Sequence, residues 1–237
     1  MNSGLKRMKP VVLLDLDNTI LDFNTAECTA LCRTFEMLRV PYDEEMLSRY
    51  HVINIRHWEM LEDGILTREE VLVRRFEELY RERGIQCDAV QTRQLYESLL
   101  AEGHWFMPGA EEMLKELCGP YRLFICSNGT KSVQAGRMKS AGIAPYFEKV
   151  FISEEIGWDK PGKEYFECCF QQIEDFDRNR AIMVGDSLTS DIRGGLNAGV
   201  LTCWYNPGHA ANPGVIVPDF EITALSDLKP LLQSIFT

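Results

Sequence analysis

Asp15 and Asp17 follow directly on the apolar run Val11–Leu14. Residues two apart in an extended chain project to the same side, so two carboxylates stand together where a buried strand runs out. Holding two anions there costs repulsion and desolvation; a bound cation or a shared proton offsets that cost. A surface turn accounts for Asn18 and Thr19 but leaves Asp15 without a reason. Three other places end in polar residues in the same manner. Cys126-Ser127-Asn128-Gly129-Thr130 offers a hydroxyl, an amide and a glycine where a helix opens, which reads as an anion nest or as a plain N-cap. Lys160, before Pro161 on a loop, is a single cation. Asp186 closes the stretch Val184-Gly185-Asp186 that ends the run Ala181–Val184, and Asp191 sits one turn into the helix expected next. Carboxylates, one hydroxyl and one ammonium thus gather from four strand ends. Oxygen-only ligands suit Mg²⁺, and with no cysteine or histidine in the set a softer metal is disfavoured.

Two glycine-rich stretches do not carry nucleotide chemistry. Gly157 and Gly162-Lys163 have the spacing of a phosphate loop, but Glu164 stands where Ser or Thr is needed, and Pro161 removes a backbone donor. Gly194-Gly195-Leu196-Asn197-Ala198-Gly199 follows a helix start rather than a strand, and its glycine spacing is wrong for a dinucleotide.

The elements that must position these residues are legible from patterning. Short, nearly continuous apolar runs at 11–16, 121–126, 149–152, 181–184 and 200–205 read as strands covered on both faces. Amphipathic stretches near 109–118, 132–141, 163–173 and 190–198 alternate with them, and 220–223 with 224–235 adds an edge strand and a closing helix. This alternation implies a three-layer αβα core, Rossmann-like, around a parallel sheet, whose ligands bind beyond the carboxyl ends of the strands. One segment breaks the alternation. From about 24 to 103 the period is helical throughout, with Pro41-Tyr42-Asp43 as a break and Thr67-Arg68-Glu69-Glu70 as a capping box. The expected organisation is therefore an α/β core of residues 1–22 and 104–237, with an inserted α-helical cap domain of 23–103.

The chain has 237 residues, with 25 Lys+Arg against 36 Asp+Glu, a net charge of −11. That balance disfavours a nucleic-acid polymer as partner; it does not exclude a small phosphorylated substrate. No stretch is long and apolar enough for a membrane span, and the basic residues before Val11 have no signal-peptide core behind them, so a cytoplasmic protein is expected. Eight cysteines form no C-x-x-C pair and read as reduced thiols.

Taken in order, Asp15-Leu16-Asp17-Asn18-Thr19, Ser127-Asn128-Gly129, Lys160-Pro161 and Gly185-Asp186 through Asp191, with a helical insert between the first two, resemble the haloacid dehalogenase-like hydrolase superfamily with a C1-type cap. The stretch Ile53-Asn54 through Trp58-Glu59 to Gly64, then Leu66-Thr67-Arg68-Glu69-Glu70, and the stretch Thr202-Cys203-Trp204-Tyr205-Asn206-Pro207, look like the bacterial pyrimidine 5′-nucleotidases of that superfamily. The resemblance implies a Mg²⁺-dependent phosphomonoester hydrolase, with Mn²⁺ able to substitute, acting on pyrimidine nucleoside monophosphates as monomer or homodimer. A sugar phosphate or phosphoglycolate is the alternative substrate, and a phosphate-responsive binding protein without turnover is a further one. It implies Asp15 as nucleophile and Asp17 as acid and base. Asp15, the Asp17 carbonyl and Asp186 would hold the metal. Ser127 and Asn128 would take phosphoryl oxygens, and Lys160 would balance their charge. Thr19 and Asp191 would support them from behind, Asp191 orienting either Lys160 or a metal-bound water. Phe23, Asn54, Trp58 and Arg75 are the cap residues expected to read the nucleoside. Superfamily dehalogenases lack an acid at the Asp17 position, so Asp17 argues for phosphoryl transfer.

Overall fold

The structure, a computed structural model, describes residues 9–212 and 214–236. Its chain divides into two compact units. One comprises the amino-terminal segment through Leu21, Phe106–Gly129 and everything from Ile143; the other comprises Asp22–Trp105 with Thr130–Gly142.

The first unit is built on a six-stranded sheet, every neighbouring pair parallel, in the order β3-β2-β1-β4-β5-β6. The strands are β1 (Val11–Leu14), β2 (Arg122–Ser127), β3 (Lys149–Ile152), β4 (Ala181–Gly185), β5 (Leu201–Tyr205) and β6 (Phe220–Ile222). β1 and β4 are buried at every residue, as expected of central strands with helices on both faces. β1 is two residues shorter than its apolar pattern. Its ladder ends where the Asp15 N–H donates to the Val184 carbonyl at 2.9 Å. The chain then winds through a tight turn in which Ile20 and Leu21 both donate to the Leu16 carbonyl. Asn18 takes a φ of 56° there, a left-handed conformation that asparagine tolerates better than most residues.

The second unit is helical: α1 (Phe23–Leu38), α2 (Glu44–Glu62), α3 (Arg68–Arg83) and α4 (Ala89–Leu100). Each begins on a side-chain cap: Asp22, Asp43, Thr67 and Asp88 accept from backbone N–H groups of the first turn. Thr67 and Glu70 form the reciprocal capping box their spacing predicts. In the sheet unit follows α5 (Ala110–Leu117); α6 (Lys131–Ala141), the helix after β2, groups instead with the helical unit. There Gly136 lies so close to Ala101 that a Cβ would stand 2.7 Å from the Ala101 Cβ, and Val133 joins the apolar core of Phe35, Tyr50, Phe76 and Tyr96. The sheet unit continues with α7 (Ser153–Ile156), α8 (Lys163–Phe170), α9 (Arg193–Ala198) and α10 (Leu228–Ile235). A π-helical turn, Leu188–Ile192, precedes α9. All eight cysteines are free thiols, and among the described residues no helix is long and apolar enough to cross a membrane.

A polar strip runs through the helical core. The buried Glu27 accepts from Asn54 Nδ2 at 2.7 Å, and the Asn54 Oδ1 accepts from Arg75 Nη1 at 2.8 Å. The Arg75 guanidinium lies over the rings of Tyr96 and Phe76. Glu27 is also 2.6 Å from His51 Nδ1. That hydrogen bond, opposed by partial burial and helped by the Glu27 charge, raises the His51 pKa above its ordinary 6.5. A raised folded value means the pair stabilises fully below the unfolded pKa and loses that contribution as pH rises through the folded one. His51→Gln is therefore expected to destabilise more at about pH 5.5 than at about pH 8.5. With the imidazole 41% exposed, the difference should stay under about 1 kcal/mol. Urea titrations at both pH values check this, and equal losses would refute it.

Candidate active site

Four parallel strands bring their carboxyl ends to one edge of the sheet, and each delivers a polar residue there. β1 delivers Asp15, 6% exposed. β2 delivers Ser127, buried, with its Oγ accepting from the Gly129 N–H at 3.1 Å. β4 delivers Asp186. The loop after β3 and α7 delivers Lys160, fully buried.

Lys160 is the hub. An ammonium has three protons, and Nζ donates them to Asp15 Oδ1 at 2.7 Å, Asp191 Oδ1 at 2.6 Å and the Cys126 carbonyl at 2.7 Å. Its backbone is clamped by the Asn128 amide, whose Oδ1 accepts from the Lys160 N–H at 2.8 Å and whose Nδ2 donates to the Lys160 carbonyl at 2.9 Å. Asn128 thus spends its side chain on holding the lysine loop against the end of β2. Asp191 comes from the π-helical turn. Its Oδ2 accepts from the Ser187 N–H at 3.0 Å, and it fits only because Gly185 has no side chain: a Cβ there would stand 2.1 Å from Asp191 Oδ2. Thr19, fully buried, fixes the far side of Asp186 by accepting from its N–H at 3.1 Å.

The charges interlock. Burial alone would lower the Lys160 pKa, but Asp15 and Asp191 outweigh it and hold the lysine protonated, well above its ordinary value. Burial and the Asp15 charge push Asp191 up to about 7, although Lys160 pulls the other way. Asp186 is raised well above the usual carboxylate range by burial, then by Asp15 and Asp191. One ammonium therefore faces three carboxylates, whose oxygens lie within 4.8 Å of one another. That set is short of positive charge and contains only hard donors, so the residues present fit a divalent cation such as Mg²⁺.

Of the residues singled out by sequence, Asp15, Thr19, Lys160, Asp186 and Asp191 meet in one cluster of hydrogen bonds and facing carboxylates, with Ser127 and Asn128 at the adjoining β2 end. Between Lys160 and a metal-bound water as partners for Asp191, the geometry supplies Lys160. Asp17 lies one residue past Leu16, bridged to Leu21. The four cap candidates all belong to the helical unit. Asn54 and Arg75 are buried in the strip with Glu27. Trp58 packs on Leu61, Leu66 and Val71 with Arg68 over its ring, and the Arg137 guanidinium lies over Phe23. One site residue escaped the sequence reading: Trp204, near the end of β5, whose indole Nε1–H donates to the Asp186 carbonyl at 2.8 Å. The signals for it were its place at the tip of the strand next to β4 and its membership of the stretch 202–207.

Residues 12–205 match the haloacid dehalogenase-like hydrolase family. The chain is 36% identical to the pyrimidine 5′-nucleotidase PynA of Streptococcus pneumoniae, covering 94% of each. It is 33% identical to the pyrimidine 5′-nucleotidase YjjG of Escherichia coli, covering 93% of this chain and 96% of that one. Among solved structures, the HAD-hydrolase YfnB of Bacillus subtilis bound to magnesium superposes with a TM-score of 0.90 at 38% identity, over 95% of this chain and 99% of that one.

Proposed function

This chain belongs to the haloacid dehalogenase-like hydrolase family, and on that premise we propose that it is a Mg²⁺-dependent phosphomonoester hydrolase that works through a phosphorylated Asp15 and acts on pyrimidine nucleoside 5′-monophosphates. The observation that carries the reaction type is the Lys160 hub, which holds Asp15 at a strand tip with a single ammonium bridging it to Asp191. The names of the two nucleotidase relatives, similar over nearly the whole chain, support the substrate class.

Asp15, Asp186 and the Asp17 carbonyl would hold the metal, with Mn²⁺ able to replace Mg²⁺. When bound, the ion supplies positive charge against the phosphate and carboxylates. The protein's own residues do the rest. A carboxylate oxygen of Asp15 attacks phosphorus, forming a P–O bond as the bond to the 5′-oxygen breaks. Asp17 gives its proton to that leaving oxygen. It then takes a proton from water as the water oxygen bonds phosphorus and the Asp15–phosphorus bond breaks, restoring both carboxyls and releasing phosphate. The Ser127 hydroxyl and the Asn128 N–H donate to phosphoryl oxygens, and Lys160 balances the charge on Asp15 throughout. Asp191 keeps the lysine aimed. Phe23, Asn54, Trp58 and Arg75 are proposed to serve nucleoside recognition, Asn54 and Arg75 by fixing helices α2 and α3 through Glu27.

Phosphate release from a panel of phosphomonoesters with Mg²⁺ tests the reading. Uridine, thymidine and deoxyuridine monophosphates are expected to lead. A sugar phosphate or phosphoglycolate leading, with nucleotides silent, would overturn the substrate class. Loss of no activity to a chelator would overturn the metal dependence.

Gly185→Ala is expected to be costly although the substitution adds one methyl group. The new Cβ would collide with the Asp191 carboxylate and carbon skeleton alike, so Asp191 must leave the Ser187 N–H or Lys160 must shift. Displacements of that size cost about 10²-fold in turnover. A kcat within twofold of the parent's would show that Asp191 placement does not matter.

A further inference from the structure

We propose that Trp204 is a positioning residue that sets the affinity of the site for its divalent cation; the inference rests on the reading of Asp186 as a metal ligand. Asp186 stands just beyond β4, where the ladder with β1 and β5 has ended. Nothing in the sheet itself fixes its backbone. Side chains from the turn that follows β1 and from β5 do so instead. From the β1 side, Thr19 Oγ1 accepts the Asp186 N–H at 3.1 Å. From the β5 side, Trp204 Nε1 donates to the Asp186 carbonyl at 2.8 Å. Trp204 is the ladder partner of Gly185 and is 4% exposed.

The carbonyl that Trp204 holds belongs to the same peptide group as the Ser187 N–H, which donates to Asp191 Oδ2 at 3.0 Å. A peptide group is a rigid plane. The indole at one edge and Asp191 at the other therefore lock its rotation. The lock runs on through Asp191 Oδ1 to Lys160 and from Lys160 to Asp15. Trp204 acts through the Asp186 peptide that its Nε1–H holds. It decides how far the Asp186 carboxylate must be reorganised before a cation can be gripped. Partners of this kind, one bond removed from a ligand, typically govern 10–100-fold in metal affinity.

Trp204→Phe keeps an aromatic filler and removes only the donor. In the full-length protein, stripped with chelator, calorimetric titration with Mg²⁺ is expected to give a Kd raised about tenfold or more. At saturating Mg²⁺, kcat should fall by less than about threefold, since the reacting groups are intact. A Kd equal to the parent's overturns the proposal, as does an unchanged Kd accompanied by a lower melting temperature, the mark of a structural role alone. If the parent protein itself binds no Mg²⁺, the reading of the metal site fails, separately from the role of Trp204. Should Trp204→Phe not fold, the parent answers by NMR. Its four tryptophans give four indole N–H signals, assignable through Trp58→Phe, Trp105→Phe and Trp158→Phe. The remaining signal is expected to shift with Mg²⁺ occupancy, and its indifference to Mg²⁺ would count against the proposal.

Discussion

Asp15→Asn is expected to lower phosphomonoester turnover by about 10⁴-fold or more, with the fold intact. The amide oxygen can still accept from Lys160 Nζ, which keeps its bonds to Asp191 and the Cys126 carbonyl, so the buried ammonium is not orphaned. The cluster loses one of three mutually repelling carboxylates, one that contributes to the upward shift of both Asp186 and Asp191. Thermal stability should therefore hold or rise. Chemistry is another matter. An amide is a poor nucleophile, and removal of the nucleophile from a cooperating set costs far more than removal of a supporting group. Steady-state phosphate release measures the loss. Rapid acid quench of the parent protein during turnover, followed by peptide mass analysis, should find one phosphoryl group on the peptide carrying Asp15, and none in the variant. Turnover within tenfold of the parent's would remove Asp15 from the reaction.

Much of this site is legible in the sequence because its residues interrupt apolar strands. An aspartate straight after Val11–Leu14, and another straight after Ala181–Gly185, cannot be explained by solvation, since those strands are covered on both faces. The alternation of strands and amphipathic helices likewise yields a parallel sheet. Patterning marks burial, however, and does not name partners. Asn128 reads as part of an anion nest or an N-cap, and only the adjacency of β2 and β3 shows its side-chain amide clamping Lys160. The helical pattern does not single out Glu27; its burial with Asn54 and Arg75 depends on how α1, α2 and α3 pack. Trp204 is marked only as a residue of the run 200–205, because a tryptophan at a strand tip says nothing of where its N–H points. The grouping of α6 with the helical unit is hidden for the same reason: Gly136 permits a close approach to Ala101 that a single sequence does not advertise.

Lys160→Met should be the most damaging substitution to stability and activity together. Methionine fills the channel of the lysine stem but leaves Asp15 and Asp191, both buried, facing each other without a cation, and leaves the Cys126 carbonyl without its donor. Removing one member of a buried ion pair costs about 3–5 kcal/mol, chiefly from the charge left behind. The pH dependence identifies that cause. Asp191 is already pushed up to about 7 against an ordinary 3.8, so its ionisation takes stability away as pH rises through that window. Without Lys160 the folded value climbs further and the loss continues to higher pH. The deficit of Lys160→Met relative to the parent should therefore grow between about pH 5 and about pH 8, measured by urea titration. A deficit independent of pH would mean that packing, not charge, is responsible. The double substitution Lys160→Met with Asp191→Asn removes the second unpaired anion and should recover about half of the lost stability at neutral pH, through a coupling that double-mutant cycles resolve. It should recover none of the turnover. In the proposed mechanism the lysine's charge acts on Asp15 and on the phosphoryl group in the transition state, and a neutral pair at 160 and 191 supplies no counterpart to it however well the site repacks.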